Sequence, residues 1–123
     1  MPARVVVVLD EADGLAARTV ETLLAEGIDA LILPSSMVAL DALEASQRIE
    51  LLVTCPQFAN GPPNGIALAR MARLKRPGVE VVFVGSLEFA HLAEGLGEFL
   101  PTPTTVDEVT STVTRLLMKA AVD

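Results

Sequence analysis

The run Val5–Leu9 (VVVVL) constrains the fold most: it is apolar throughout, mostly β-branched, and closed abruptly by the acidic group Asp10-Glu11-Ala12-Asp13. A strand with one wet face alternates polar and apolar residues. A strand without that alternation is buried on both faces, as in parallel sheets covered by helices. Related runs recur at Glu50–Thr54 (ELLVT) and Val79–Val84 (VEVVFV). The intervening segments carry helical spacing, so the chain is restricted to an arrangement in which each strand is followed by a helix.

Taken in order, Val5–Leu9 predicts the first strand. Leu15, Thr19, Leu23 and Glu26, with Val20 and Leu24 beside them, predict a helix from Asp13 to Glu26, and Gly27 supplies its stop. Ile28–Leu33 reads as a second strand ended by Pro34. Ser35 or Ser36 can cap a helix to about Ser46, with Val38, Leu40 and Leu43 apolar. After the third strand, Glu50–Thr54, Asn64 can cap a helix over Gly65–Lys75, broken by Arg76-Pro77-Gly78. Val79–Val84 is the fourth strand, Leu87–Gly95 a short helix, and Glu98–Leu100 a brief fifth strand. Thr105-Val106-Asp107-Glu108 has capping-box spacing and opens a helix with the apolar stripe Val106, Val109, Val113, Leu116 and Leu117. Five strand–helix pairs with right-handed crossovers predict an α/β fold: a doubly wound parallel sheet of five strands with helices on both faces, in one domain spanning residues 1–123.

Charge and composition exclude several functions. A net charge of −7 argues against direct nucleic-acid binding, which needs a basic surface. Arg70, Arg73, Lys75 and Arg76 cluster near a predicted helix C-terminus, where the helix dipole favours cations. A single cysteine cannot form an internal disulfide, so a reducing cytoplasm is expected. The opening apolar run is too short for a signal-peptide core or a membrane span. There is no GxGxxG or Walker signature, and with no Trp or Tyr little can stack on a flavin ring, so no cofactor is expected.

In an open parallel sheet, chemistry sits beyond the carboxyl ends of the strands. The stretch Ile49–Gly65 (IELLVTCPQFANGPPNG) therefore holds the expected site, with Cys55 at the end of the third strand. With these elements in place, residues from Arg4 to about Met118 resemble a receiver domain of bacterial two-component response regulators, a flavodoxin-like fold. The resemblance rests on Leu9-Asp10-Glu11 after the first strand, Glu50 opening the third, Asn64-Gly65 at the third helix, Arg76-Pro77, and Phe99-Leu100-Pro101-Thr102-Pro103 before the last helix.

The resemblance implies a set of roles. A receiver holds Mg²⁺ on an acidic pair, phosphorylates an Asp at the third strand end, and grips the phosphoryl oxygens with a Ser or Thr and a Lys. Here the aspartate position falls on Cys55, the hydroxyl position on Gly85, the Lys position on Thr102 and the first acidic position on Leu9. Asp10, with Glu11 beside it, is what survives, so no useful Mg²⁺ affinity is implied. Ser86 is adjacent to the hydroxyl position, and a register error of one residue would restore it, but not the Asp or the Lys. This pattern implies a degenerate receiver that is not an enzyme and acts by protein–protein interaction. The partner would be a histidine kinase, an effector domain or a second copy, and the contact would use the face of the fourth helix, fifth strand and fifth helix, with Leu92, Phe99 and Arg115.

Two alternatives remain open from sequence: a receiver phosphorylated at Asp10 or Cys55, and an enzyme using Cys55 as nucleophile. Cysteine-dependent phosphatases carry an Arg six residues after the Cys, where this chain has Gly61, and no basic residue lies between Cys55 and Arg70 to lower the thiol pKa. A buried, inert Cys55 is the plainer reading. Pro62 and Pro63 remove backbone donors that an anion-cradling loop at Asn60–Gly65 would need. His91, near Glu88 and Glu94, reads as a surface histidine.

Overall fold

The computed structural model describes residues 4–9, 14–45, 48–56 and 64–122. Five parallel strands form one sheet: β1 (Val5–Val8), β2 (Ala30–Ile32), β3 (Leu51–Thr54), β4 (Glu80–Gly85) and β5 (Glu98–Pro101). Their order is β2-β1-β3-β4-β5. The α-helices are α1 (Leu15–Ala25), α2 (Ser36–Ala45), α3 (Gly65–Lys75) and α4 (Val106–Val122), and a 3₁₀ helix spans Leu87–Ala93 between β4 and β5. This is the doubly wound, flavodoxin-like α/β fold, with its strand order reversing between β1 and β3.

The apolar runs do what their lack of alternation predicts. Every residue of β1 and β3 is buried. Successive residues feed two separate cores. Val6, Val8, Leu52, Val81 and Phe83 pack with α2 and α3 on one face, while Val5, Val7, Leu51, Val53 and Val82 pack with α1 and α4 on the other. The stripe on α4 is buried as expected at Val109, Val113, Leu116 and Leu117, and Val106 packs against it.

The caps follow simple chemistry. Asn64 Oδ1 accepts from the Ala67 N–H at 2.9 Å and starts α3, and Thr105 Oγ1 accepts from the Glu108 N–H at 3.1 Å and starts α4. Of the two serines before α2, Ser35 is the cap, accepting from the Val38 N–H at 3.3 Å. Gly27 leaves α1 with a φ of 85°, a conformation a glycine adopts without steric cost.

Four expectations are corrected. The second strand is Ala30–Ile32 rather than Ile28–Leu33, because it lies at the sheet edge with a single strand beside it. Its Leu31 and Ile32 are exposed, as are Leu24 of α1 and Val38 of α2, which the spacing had placed with the apolar faces. The fourth helix is 3₁₀, closing with bonds such as Phe89 N–H to the Ser86 carbonyl at 3.0 Å, and at seven residues it is longer than most segments of that geometry. The fifth strand reaches Pro101, and the short helix before it ends at Ala93 rather than Gly95. The predicted ends at Asp13 and Ser46 lie outside the described residues.

The basic cluster is largely engaged within the fold. Arg76 donates to the carbonyls of Leu43 (at 3.2 Å) and Ile49, Lys75 pairs with Glu44, and Arg73 donates to the Leu96 carbonyl at 2.7 Å. Arg4 pairs with Glu50, and that hydrogen bond holds the Arg4 guanidinium above its ordinary pKa.

Candidate functional site at the carboxyl ends of the strands

The register brings the strand-end positions onto one rim. Val8 pairs with Thr54, so Leu9 and Cys55 leave the sheet side by side. Thr54 pairs with Phe83, two residues before Gly85. Gly85 pairs with Pro101, and its carbonyl accepts from the Thr102 N–H at 2.8 Å, which places Thr102 next to Gly85. The Thr102–Pro103 peptide is cis. Asp10, Glu11 and residues 57–63, including Gly61 and both loop prolines, lie outside the described residues.

This rim is closed by backbone and ring contacts. A β-carbon on Gly65 would stand 1.6 Å from the Cys55 carbonyl oxygen, so the first residue of α3 rests directly on the end of β3. The Gly65 N–H also donates to the Pro56 carbonyl at 3.1 Å. A β-carbon on Gly85 would stand 2.6 Å from Cδ and 3.1 Å from Cγ of Pro56. The proline ring therefore fills the space into which a serine or threonine at position 85 would project. Phe99 closes the same space from β5, its Cζ 4.0 Å from that point.

Beneath the rim, Thr54 is fully buried, and its Oγ1 has no hydrogen-bond partner among the described residues. An unsatisfied buried hydroxyl costs about 1–3 kcal/mol. Cys55 is 9% exposed and forms no disulfide. Ser86 lies outside β4, exposed, with its hydroxyl donating to a Glu88 carboxylate oxygen at 3.4 Å. Thr102 is exposed. Sequence reasoning passed over Arg18, one turn into α1, whose guanidinium lies 3.9 Å from where a β-carbon on Gly14 would be. It occupies an ordinary exposed helical position, which no motif distinguishes.

The resemblance to receiver domains implies Mg²⁺ at this rim, and the described residues do not fit it. Mg²⁺ takes hard oxygen ligands. The described strand ends offer an alkyl side chain at Leu9, a buried thiol at Cys55 and no side chain at Gly85. Among the described residues no three His, Cys, Asp or Glu side chains converge.

The expected partner residues surround the β5 edge. Leu92 lies exposed on the 3₁₀ helix. Phe99 is half-buried against the α2–α3 core, and Arg115 of α4 pairs with Glu98 of β5 at 3.2 Å on the other face. His91 is exposed on the 3₁₀ helix.

A five-stranded parallel sheet in the order 2-1-3-4-5, with helices on both faces and its strand-end residues gathered on one rim, defines the class of doubly wound signalling and nucleotide folds. No protein-family model matches the sequence, and no curated protein matches it. Solved structures do. A response regulator receiver protein from Sinorhizobium medicae WSM419 is 26% identical, with a TM-score of 0.79 over 96% of this chain and 97% of that one. The receiver domain of the hybrid histidine kinase CckA is 21% identical, with a TM-score of 0.73 over 92% of this chain and 98% of that one. A receiver domain protein from Methanospirillum hungatei JF-1 is 18% identical, with a TM-score of 0.79 over 97% of each chain. The chain has the fold of response regulator receiver domains. Among the described residues, no helix is long and apolar enough to cross a membrane.

Proposed function

We propose that this domain is a receiver-like signalling module of the two-component type that works without aspartyl phosphorylation, by protein–protein contact. The observation that carries the reading is the Pro56 ring over Gly85, at 2.6 Å from the missing β-carbon. A phosphorylatable rim keeps that volume open for a hydroxyl that moves toward the phosphoryl group. Here the volume is filled, and Cys55 and Thr102 stand where the acceptor and the cation would be needed. The reading places the protein in the cytoplasm, with no cofactor, no direct nucleic-acid contact and no catalytic role. Its partner, a histidine kinase, an effector domain or a second copy, docks on the face carrying Leu92, Phe99 and Arg115.

The test is an amide NMR spectrum titrated with Mg²⁺ and then with a small acyl phosphate, alongside intact mass. The expected result is no saturable shift at Leu9, Cys55 or Phe99 and no phosphate-sized mass gain. A saturable shift with added mass would instead make this a working switch with a rebuilt pocket. Arg115→Glu is expected to weaken partner capture, and unchanged capture would remove that face from the proposal.

A further inference from the structure

The two edges of the sheet are built differently. At β5 the edge is guarded by the Glu98–Arg115 pair and ends in Pro101, devices that discourage strand addition. At β2, Leu31 and Ile32 are 49% and 41% exposed. Nine large hydrophobic residues are exposed among the described residues, and five of them (Leu24, Leu31, Ile32, Met37 and Val38) sit on β2 and the two helices joined to it. The concentration on three adjoining elements separates this edge from ordinary scattered surface apolar residues.

The backbone of β2 limits what can pair there. The Asp29 carbonyl accepts from the N–H groups of Arg4 and Val5, and the Leu33 N–H donates to the Val7 carbonyl. Residues of a parallel ladder alternate in direction, so Asp29, Leu31 and Leu33 turn their amides toward β1, while Ala30 and Ile32 turn theirs outward. That outward pair is self-complementary. In an antiparallel copy centred on Leu31, Ala30 falls opposite Ile32 and Ile32 opposite Ala30, each exchanging both bonds, with Leu31 facing Leu31 across the two-fold axis.

We propose that β2 is a self-association edge, through which two copies of this chain join antiparallel over Ala30–Ile32 into one continuous sheet. Charge opposes a second copy least at this place: each copy carries −7, and residues 30–40 contain no charged side chain. Antiparallel pairing also sends Asp29 of each copy to the Leu33–Pro34 end of the other, which keeps the flanking carboxylates apart. α1 and α2 cover opposite faces of the sheet, so a two-fold axis perpendicular to it brings each beside its own copy. Leu24 on one face and Met37 and Val38 on the other are then covered in the same event. This edge is independent of the face carrying Arg115, and the proposal stands whether or not the rim is phosphorylated.

The test combines sedimentation velocity over a concentration series with amide hydrogen exchange on the full chain. The expected mass doubles with concentration. The Ala30 and Ile32 amides become protected as it does, while the Leu31 amide, bonded to β1, is protected throughout. Leu31→Lys is expected to hold the protein at the mass of one chain. A single-chain mass at every concentration, a dimer that survives Leu31→Lys, or a dimer whose Ala30 and Ile32 amides exchange as in dilute solution would each overturn the proposal. Should Leu31→Lys lose the folded NMR spectrum, the exchange of the unsubstituted protein decides alone.

Discussion

The amino and carboxyl ends of this sheet are held by different physics. At the amino end, charge does the holding: Arg4 pairs with Glu50, Lys75 with Glu44, and Arg76 reaches the carbonyls of Leu43 and Ile49. Leu43 lies in the last turn of α2, where carbonyls lack helical partners, so Arg76 serves as that helix's C-terminal cap. At the carboxyl end, close contact does the holding: Gly65 rests on the Cys55 carbonyl, and Pro56 covers Gly85. In folds of this class the carboxyl rim is normally the polar, ligand-facing one. The reversal shows that the described part of this rim is occupied by structural packing.

Four substitutions break or sharpen that contrast. Gly65→Ala is expected to cost most, about 3 kcal/mol or more, because its β-carbon meets backbone, which yields less readily than a side chain. That cost overrides the roughly 1 kcal/mol that alanine ordinarily gains over glycine within a helix. Urea unfolding measures it, and a neutral result would mean that α3 moves freely on β3. Arg76→Met is expected to cost about 2 kcal/mol by the same assay, since two carbonyls lose a charged donor.

Gly85→Ser is expected to cost about 1–2 kcal/mol, and much of that should vanish in the background of Pro56→Ala, where the ring is gone. A double-mutant cycle with no coupling would show that Pro56 does not set the space at position 85. The smallest effect belongs to Arg4 and Glu50, with side chains 39% and 41% exposed. Their coupling is expected to be about 0.5 kcal/mol and to fall on raising salt. A large, salt-insensitive coupling would place that pair with the rim contacts, whose hold does not depend on charge.

The fold was legible because burial writes itself into composition. A strand covered on both faces must be apolar at every position, and Val5–Val8 and Leu51–Val53 satisfy that without exception. Capping residues were legible for a similar reason, since Asn64 and Thr105 act on N–H groups three residues away. The edge strand was less so: Ile28–Leu33 has an apolar pattern of the same kind, and composition does not say that a strand has a neighbour on one side alone. The 3₁₀ character of Leu87–Ala93 was hidden because seven residues show too few turns to separate one helical period from another.

At the candidate site, resemblance pointed to Leu9, Cys55, Gly85 and Thr102, and the register sets Leu9 beside Cys55 and Thr102 beside Gly85. The contact of Pro56 with Gly85 could not be read in advance. It joins residues 29 positions apart by a steric fit, and such a fit leaves no periodic trace in a sequence.

The seating of Gly65 on the Cys55 carbonyl also bears on how the molecule opens. With no side chain between them, the end of β3 and the start of α3 share a surface that neither can leave without exposing the other. Local opening free energies run from near zero at fraying ends to the full unfolding free energy in core elements, and the end of a helix ordinarily lies toward the low side. Here the first turn of α3 is tied to β3, so that turn inherits the slow opening of the sheet's centre, and the two behave as one cooperative unit although residues 55–64 separate them in the chain.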